Sequence, residues 1–117
     1  MGKDKLKRFA AIKTFANVHE PVMGEPFAFK GNWRQDVFGN SNPIILELGC
    51  GKGEYAVGMG RHYPDKNFIG VDLKGNRIYI GAKQCIEQDI NNVMFLRTRI
   101  DFINNFFDSS KKSFFDK

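Results

Sequence analysis

The segment Ile44-Ile45-Leu46-Glu47-Leu48-Gly49-Cys50-Gly51-Lys52-Gly53-Glu54-Tyr55 restricts the fold of this chain more than any other stretch. An apolar run carrying one acidic residue gives way to three glycines at every second position. It reads as a buried strand, a tight turn and the opening of a helix. Glycine tolerates positive φ and lets a ligand lie against bare backbone, so three glycines at this junction point to a nucleotide-like group packed on the turn. A dinucleotide fingerprint has glycine at its first, third and sixth positions, whereas the sixth position counted from Gly49 is Glu54. The motif is instead E-x-G-x-G-x-G, at Glu47, Gly49, Gly51 and Gly53. A second apolar run, Asn67-Phe68-Ile69-Gly70-Val71-Asp72, closes on a carboxylate nineteen residues after Gly53. That is the distance at which an acidic residue beyond a glycine loop accepts hydrogen bonds from ribose hydroxyls.

From Pro43 onward the pattern alternates: strand at Ile44 to Leu48, helix from Gly53 to His62, strand at Asn67 to Val71, helix from Asn76 to Gln88, strand at Val93 to Arg97. A β-α-β-α-β order implies a parallel sheet with helices on its faces. Gly58 and Gly60 weaken the first helix, and close packing on the sheet is the expected reason for both. In the second helix Ile78, Ala82, Cys85 and Ile86 form one apolar stripe at helical spacing, which reads as core. Phe102, Ile103, Phe106 and Phe107 outline one face of a short helix. Residues 1–42 contain Pro21, Gly24, Pro26, Gly31 and Gly39 with no sustained period, and read as an irregular, extended arm wrapped on a domain at 43–117.

At 117 residues the chain holds a single domain. No apolar run reaches the length of a membrane span and the amino terminus is charged rather than signal-like, so the expectation is a cytoplasmic protein with no membrane partner. Cys50 and Cys85 lack zinc-site or C-x-x-C spacing and read as reduced thiols. The balance is basic, 18 Lys and Arg against 13 Asp and Glu. In the arm Lys3, Lys5, Lys7, Arg8 and Lys13 face only Asp4, a pattern that favours a polyanionic partner because neutralised phosphates release counterions. The bland alternative is a frayed terminus. Phe9, Phe15, Phe27, Phe29 and Trp33 interleave with these charges; base stacking is open to them, but core packing is the commoner fate of such residues.

The glycine motif resembles the first motif of the Rossmann-like, S-adenosylmethionine-dependent methyltransferases. The likeness extends to Lys5-Leu6-Lys7-Arg8-Phe9, Lys13-Thr14-Phe15, Pro64 to Asp72, Lys74-Gly75 and Asn92 to Ile100, which together are similar to the bacterial tRNA (guanine-N7-)-methyltransferases. The resemblance runs from about residue 3 to about residue 107. It implies a partial Rossmann-like α/β sheet, S-adenosylmethionine as cofactor, and transfer of its methyl group to N7 of a guanine in the variable loop of tRNA. It also implies cofactor contacts from Glu47, Gly49, Cys50, Gly51, Gly53 and Asp72. A third contact just after the third strand falls closest to Arg99. The family's next strand ends in an Asp-Pro motif whose aspartate lies at the reaction centre, and its tRNA-contacting segments come later still; the chain contains no such motif. The tail Lys111 to Lys117 does not read as that strand. The sequence is therefore expected to be the amino-terminal half of a longer protein, with an exposed sheet edge open to self-association.

Guanine N7 carries an exposed lone pair, so attack on a sulfonium methyl needs alignment and desolvation rather than a base. His19 and His62 accordingly read as packing or surface residues, and Lys52, badly placed beside a sulfonium, is expected to face solvent or RNA. A small-molecule methyltransferase and a non-catalytic cofactor- or RNA-binding module remain open alternatives. A nicotinamide oxidoreductase ranks last, because Glu54 breaks the six-residue glycine pattern.

Overall fold

The computed structural model describes residues 2–107 and 114–115. In chain order the elements are helix α1 (Lys3–Ile12), strand β1 (Val18–His19), a π-helical turn at Trp33–Phe38, β2 (Ile44–Leu48), helix α2 (Glu54–His62), β3 (Asn67–Asp72), helix α3 (Gly75–Glu87), β4 (Val93–Arg97), a 3-10 turn at Ile100–Asn105 and β5 (Phe114–Phe115). The expected strands and helices of the α/β core are all present, with ends shifted by one residue at most.

The sheet runs β1-β4-β3-β2-β5, and all four pairings are parallel. β3 lies at its centre, and every residue from Asn67 to Val71 is buried, as a parallel strand covered on both faces requires. Side chains alternate between two cores. Phe68, Val93 and Phe95 point to the face carrying Ala56 and Val57 of α2 and Ile78, Ala82 and Cys85 of α3. Leu46, Ile69, Val71 and Leu96 point to the other face, where Trp33, Phe106 and Phe107 close over them. Among the described residues α2 and α3 cover one face, and the second is roofed by aromatic side chains of residues 1–42 and of the segment after β4.

The arm is more regular than its sequence suggests. Lys3–Ile12 is helical and packs on α3, with Ile12 buried to 1% exposure, and Val18–His19 extends the sheet beside β4. Phe9 and Ile12 are the apolar side chains of α1 that close on Gly75, too few positions to show as a period; its order comes from docking, as for most short helices. Trp33 is buried and donates its indole N–H to the Phe106 carbonyl at 2.8 Å, while Phe15 stacks on Tyr79. Core packing, not base stacking, accounts for Phe15, Phe27, Phe29 and Trp33. The tail also departs from expectation: Phe114 and Phe115 pair with Leu46 and Glu47 of β2, at the sheet position expected to be bare. Both edge strands are two residues long, which limits the pairing surface they offer.

The two glycines of α2 differ. A β-carbon at Gly60 would collide with Val93, so close packing explains it, whereas one at Gly58 would meet nothing within 4 Å. Gly58→Ala is therefore expected to raise stability by about 0.4–1 kcal/mol and Gly60→Ala to lower it. Paired denaturant midpoints check both signs. Within α3, Ile86 lies 51% exposed and leaves the core stripe to Ile78, Gly81, Ala82 and Cys85.

Candidate cofactor site

Strand register assembles most of the site. Leu48 pairs with Val71, so the ends of β2 and β3 lie side by side. The backbone N–H groups of Gly49 and Cys50 both donate to the Val71 carbonyl, at 2.7 and 3.0 Å, which folds the loop onto that edge. Gly51 and Gly53 have φ of +57° and +76°, a left-handed conformation that side chains resist. The Gly51 N–H donates to Asp72 Oδ2 at 2.8 Å and the Lys74 N–H to Asp72 Oδ1 at 3.0 Å. Asp72 thus faces the loop and holds it in shape.

Beneath the loop lies a residue the sequence did not single out. A β-carbon at Gly53 would sit 2.8 Å from the Phe95 ring, one at Gly81 2.9 Å from it, and one at Gly70 3.2 Å from it. Loop, α3 and β3 each contribute a glycine to accommodate one phenylalanine of β4. The clue available beforehand was the pair Gly70 and Gly81, glycines inside a strand and a helix, which often mark close approach. At Gly81 the same β-carbon would lie 2.6 Å from the Lys52 carbonyl, so the loop rests directly on α3.

Glu47 is fully buried in β2, at the level of Gly70 in β3. A β-carbon at Gly51 would meet nothing within 4 Å, leaving the loop's backbone open to a ligand. A cleft of about 640 Å³ over the loop is lined by Cys50, Gly51, Lys52, Glu54, Tyr55 and Arg77. Asp72 does not line it, so loop and carboxylate touch each other without forming the walls of this one cleft. A second cavity, about 560 Å³, lies between the segment 21–30 and the chain after β4, with Phe27, Thr98, Phe102 and Phe106 among its walls. Thr98 joins it to Asp72, its N–H donating to the Asp72 carbonyl at 3.0 Å.

Arg99 is turned away to solvent, paired with Asp101 at 2.8 Å and lying over the Phe102 ring at 5.2 Å. Lys52 is exposed, as anticipated. His19 packs edge-on against Trp33 and Phe29, and burial lowers its pKa; the neutral ring serves packing. His62 is exposed at the far end of α2. Burial pushes the Cys85 thiol up to about 11, against a smaller opposing effect of the Arg61 charge, and both cysteines are buried. No cluster of metal-ligating side chains occurs among the described residues. Of the proposed RNA-contacting residues, Lys3, Lys5, Lys7 and Lys13 are exposed and Arg8 is half-buried.

Residues 41–114 match the model of a family described as "Putative methyltransferase". Among curated proteins, the chain is 50% identical over 117 residues to a tRNA (guanine-N(7)-)-methyltransferase of Bacteroides thetaiotaomicron, covering 97% of this chain and 46% of that protein. It is 49% identical to the Bacteroides fragilis protein of the same name, with the same coverage. With the one from Christiangramia forsetii it shares 47% over 115 residues, covering 95% of this chain and 51% of the relative. The chain spans about half the length of the curated relatives it matches. The chain belongs to the methyltransferase family that this model describes, and its resemblance to the bacterial tRNA (guanine-N7-)-methyltransferases holds along 97% of its length.

Proposed function

We propose that this chain forms the cofactor-binding half of an S-adenosylmethionine-dependent tRNA methyltransferase that modifies N7 of a guanine in the tRNA variable loop. The observation that carries the reading is the bond from Gly51 N–H to Asp72, which unites the glycine loop and the acidic residue at adjacent strand ends. An ionised carboxylate offers about four acceptor positions. Two are taken by Gly51 and Lys74, so Asp72 can still accept from ribose hydroxyls. The open backbone at Gly51 suits the same ligand, with Gly49, Cys50 and Gly53 shaping the turn around it. Glu47 would place negative charge near a cationic amino-acid end, and the aromatic walls around Thr98 suit a flat base. Arg99, held by Asp101, is the weakest member of the set.

When bound, S-adenosylmethionine supplies an electrophilic methyl group. The work left to the chain is to orient that ligand and exclude water. No described residue is needed to remove a proton from a guanine whose N7 lone pair is already free. The basic residues Lys3, Lys5, Lys7, Arg8 and Lys13 fit tRNA as partner. A cytoplasmic location accompanies this reading, and no helix among the described residues is long and apolar enough to cross a membrane. Self-association through the sheet edge also belongs to the proposal: among the described residues β5 pairs with Leu46 and Glu47 of β2, and its outer side is where a second copy would add.

Titration of S-adenosylmethionine into the chain, followed by calorimetry, tests this reading. Saturable binding is expected, and Gly51→Val should abolish it by forcing a side chain into a left-handed turn that faces the ligand. Equal binding by both proteins would move the cofactor elsewhere.

A further inference from the structure

The protein's positive charge is concentrated on one pair of helices. Residues 3–13 and 74–87, which contain α1 and α3, hold eight basic residues against two acidic ones, an excess of six, while the whole chain's excess is five. The remainder of the molecule is thus slightly acidic. α1 and α3 pack against each other, so charges far apart in sequence share one region. Docking is tight: a β-carbon at Gly75 would lie 2.9 Å from Ile12 and 3.1 Å from Phe9. The Arg97 guanidinium covers the Phe9 ring at 4.9 Å and is itself tied to Glu20 and to the Leu73 carbonyl.

Tyr79 of α3 is the point where the two helices' charges meet. Arg8 lies 5.3 Å from its ring centroid and Lys83 5.7 Å from it, with Phe15 stacked against the ring at 5.7 Å. Cation–π contacts hold both cations near one another without neutralising them. Among the described residues none of the eight basic side chains is ion-paired with a carboxylate; the acidic groups on these elements are Asp4 in the first turn of α1 and Glu87 at the end of α3, with Asp89 just beyond. Unneutralised like charges repel one another, and a partner bearing regularly spaced negative charge relieves this repulsion.

We propose that α1 and α3 together form a contact surface for the phosphodiester backbone of RNA, in which Arg8 and Lys83 grip neighbouring phosphates across Tyr79. This rests on the tRNA reading above and extends it from the amino-terminal lysines to α3. The surface reads phosphates and not base sequence, because its groups are point charges and a planar guanidinium, and phosphate contacts position without specifying.

The test is fluorescence anisotropy of labelled tRNA with the chain across a salt series, comparing the unsubstituted protein with Lys83→Glu and with Lys66→Glu, an identical charge change in the turn before β3. Circular dichroism verifies that the variants are folded. Lys83→Glu is expected to weaken binding about tenfold and to lower the slope of log affinity against log salt by about 1, the signature of one lost phosphate contact. Lys66→Glu should leave the slope unchanged. Equal losses in the two variants would overturn the surface while leaving RNA binding in place. No salt-dependent binding by the unsubstituted chain would overturn both. Lys83-dependent binding of poly-glutamate as tight as that of tRNA would make the partner an acidic protein and refute the RNA assignment.

Discussion

A polypeptide of residues 1–117, given tRNA and labelled S-adenosylmethionine, is expected to turn over at least about a hundredfold more slowly than a full-length relative. Methyl transfer requires the nucleophile and the sulfonium to be held in line at about 3 to 3.5 Å, and a misplacement near 1 Å already costs about a hundredfold. The described residues supply the proposed cofactor site and a basic surface, and the sequence contains no Asp-Pro, the motif that the family resemblance places at the reaction centre. It covers 46% of its Bacteroides thetaiotaomicron relative. Filter-binding counts of methylated tRNA measure the rate. Turnover equal to that of the longer enzyme would show that residues already present here position the guanine.

Replacing Phe95 by alanine is expected to lower stability by about 3–5 kcal/mol, the usual cost of emptying a buried aromatic position. Phe95 has no solvent exposure. The loss belongs at the upper end of the range because glycines at 53, 70 and 81 surround the ring, and they have no side chains with which to fill the space. The same void would free the glycine loop from its support, so cofactor affinity should fall along with the unfolding midpoint. Phe95→Leu should recover part of both. A loss below about 1 kcal/mol in urea unfolding would mean that the loop does not depend on this ring.

The α/β centre was legible because its signals are local and dense. Short, largely apolar runs mark β2, between Pro43 and Gly49, and β3 and β4, each opening after polar residues, and the Ile78, Ala82, Cys85 stripe marks α3. The pairing of the glycine loop with Asp72 was legible because both sit at strand ends and adjacent parallel strands bring those ends together. What escaped was structure whose cause lies in distant contacts. α1 shows two apolar anchors among many charges, and its order depends on Gly75 and Arg97, over sixty residues away. Val18–His19 and Phe114–Phe115 are too short to show strand alternation and exist only through pairing with β4 and β2. Gly58 and Gly60 look alike in sequence, and only the position of Val93 separates them. The pairing of Arg99 with Asp101, two residues on, is likewise a matter of side-chain geometry that its place after β4 does not reveal.

The proposed site for S-adenosylmethionine is the junction of the glycine loop and Asp72. Calorimetric comparison of the unsubstituted chain with Asp72→Ala addresses it most directly. Loss of a charged hydrogen-bond acceptor is expected to weaken binding by about 1–3 kcal/mol, or roughly five- to 150-fold. Asp72→Asn, which keeps an acceptor for a backbone N–H, should fall between the two. The far-ultraviolet circular dichroism of all three proteins should coincide. An affinity unchanged in Asp72→Ala, with the fold intact, would contradict the account and place the cofactor away from this loop.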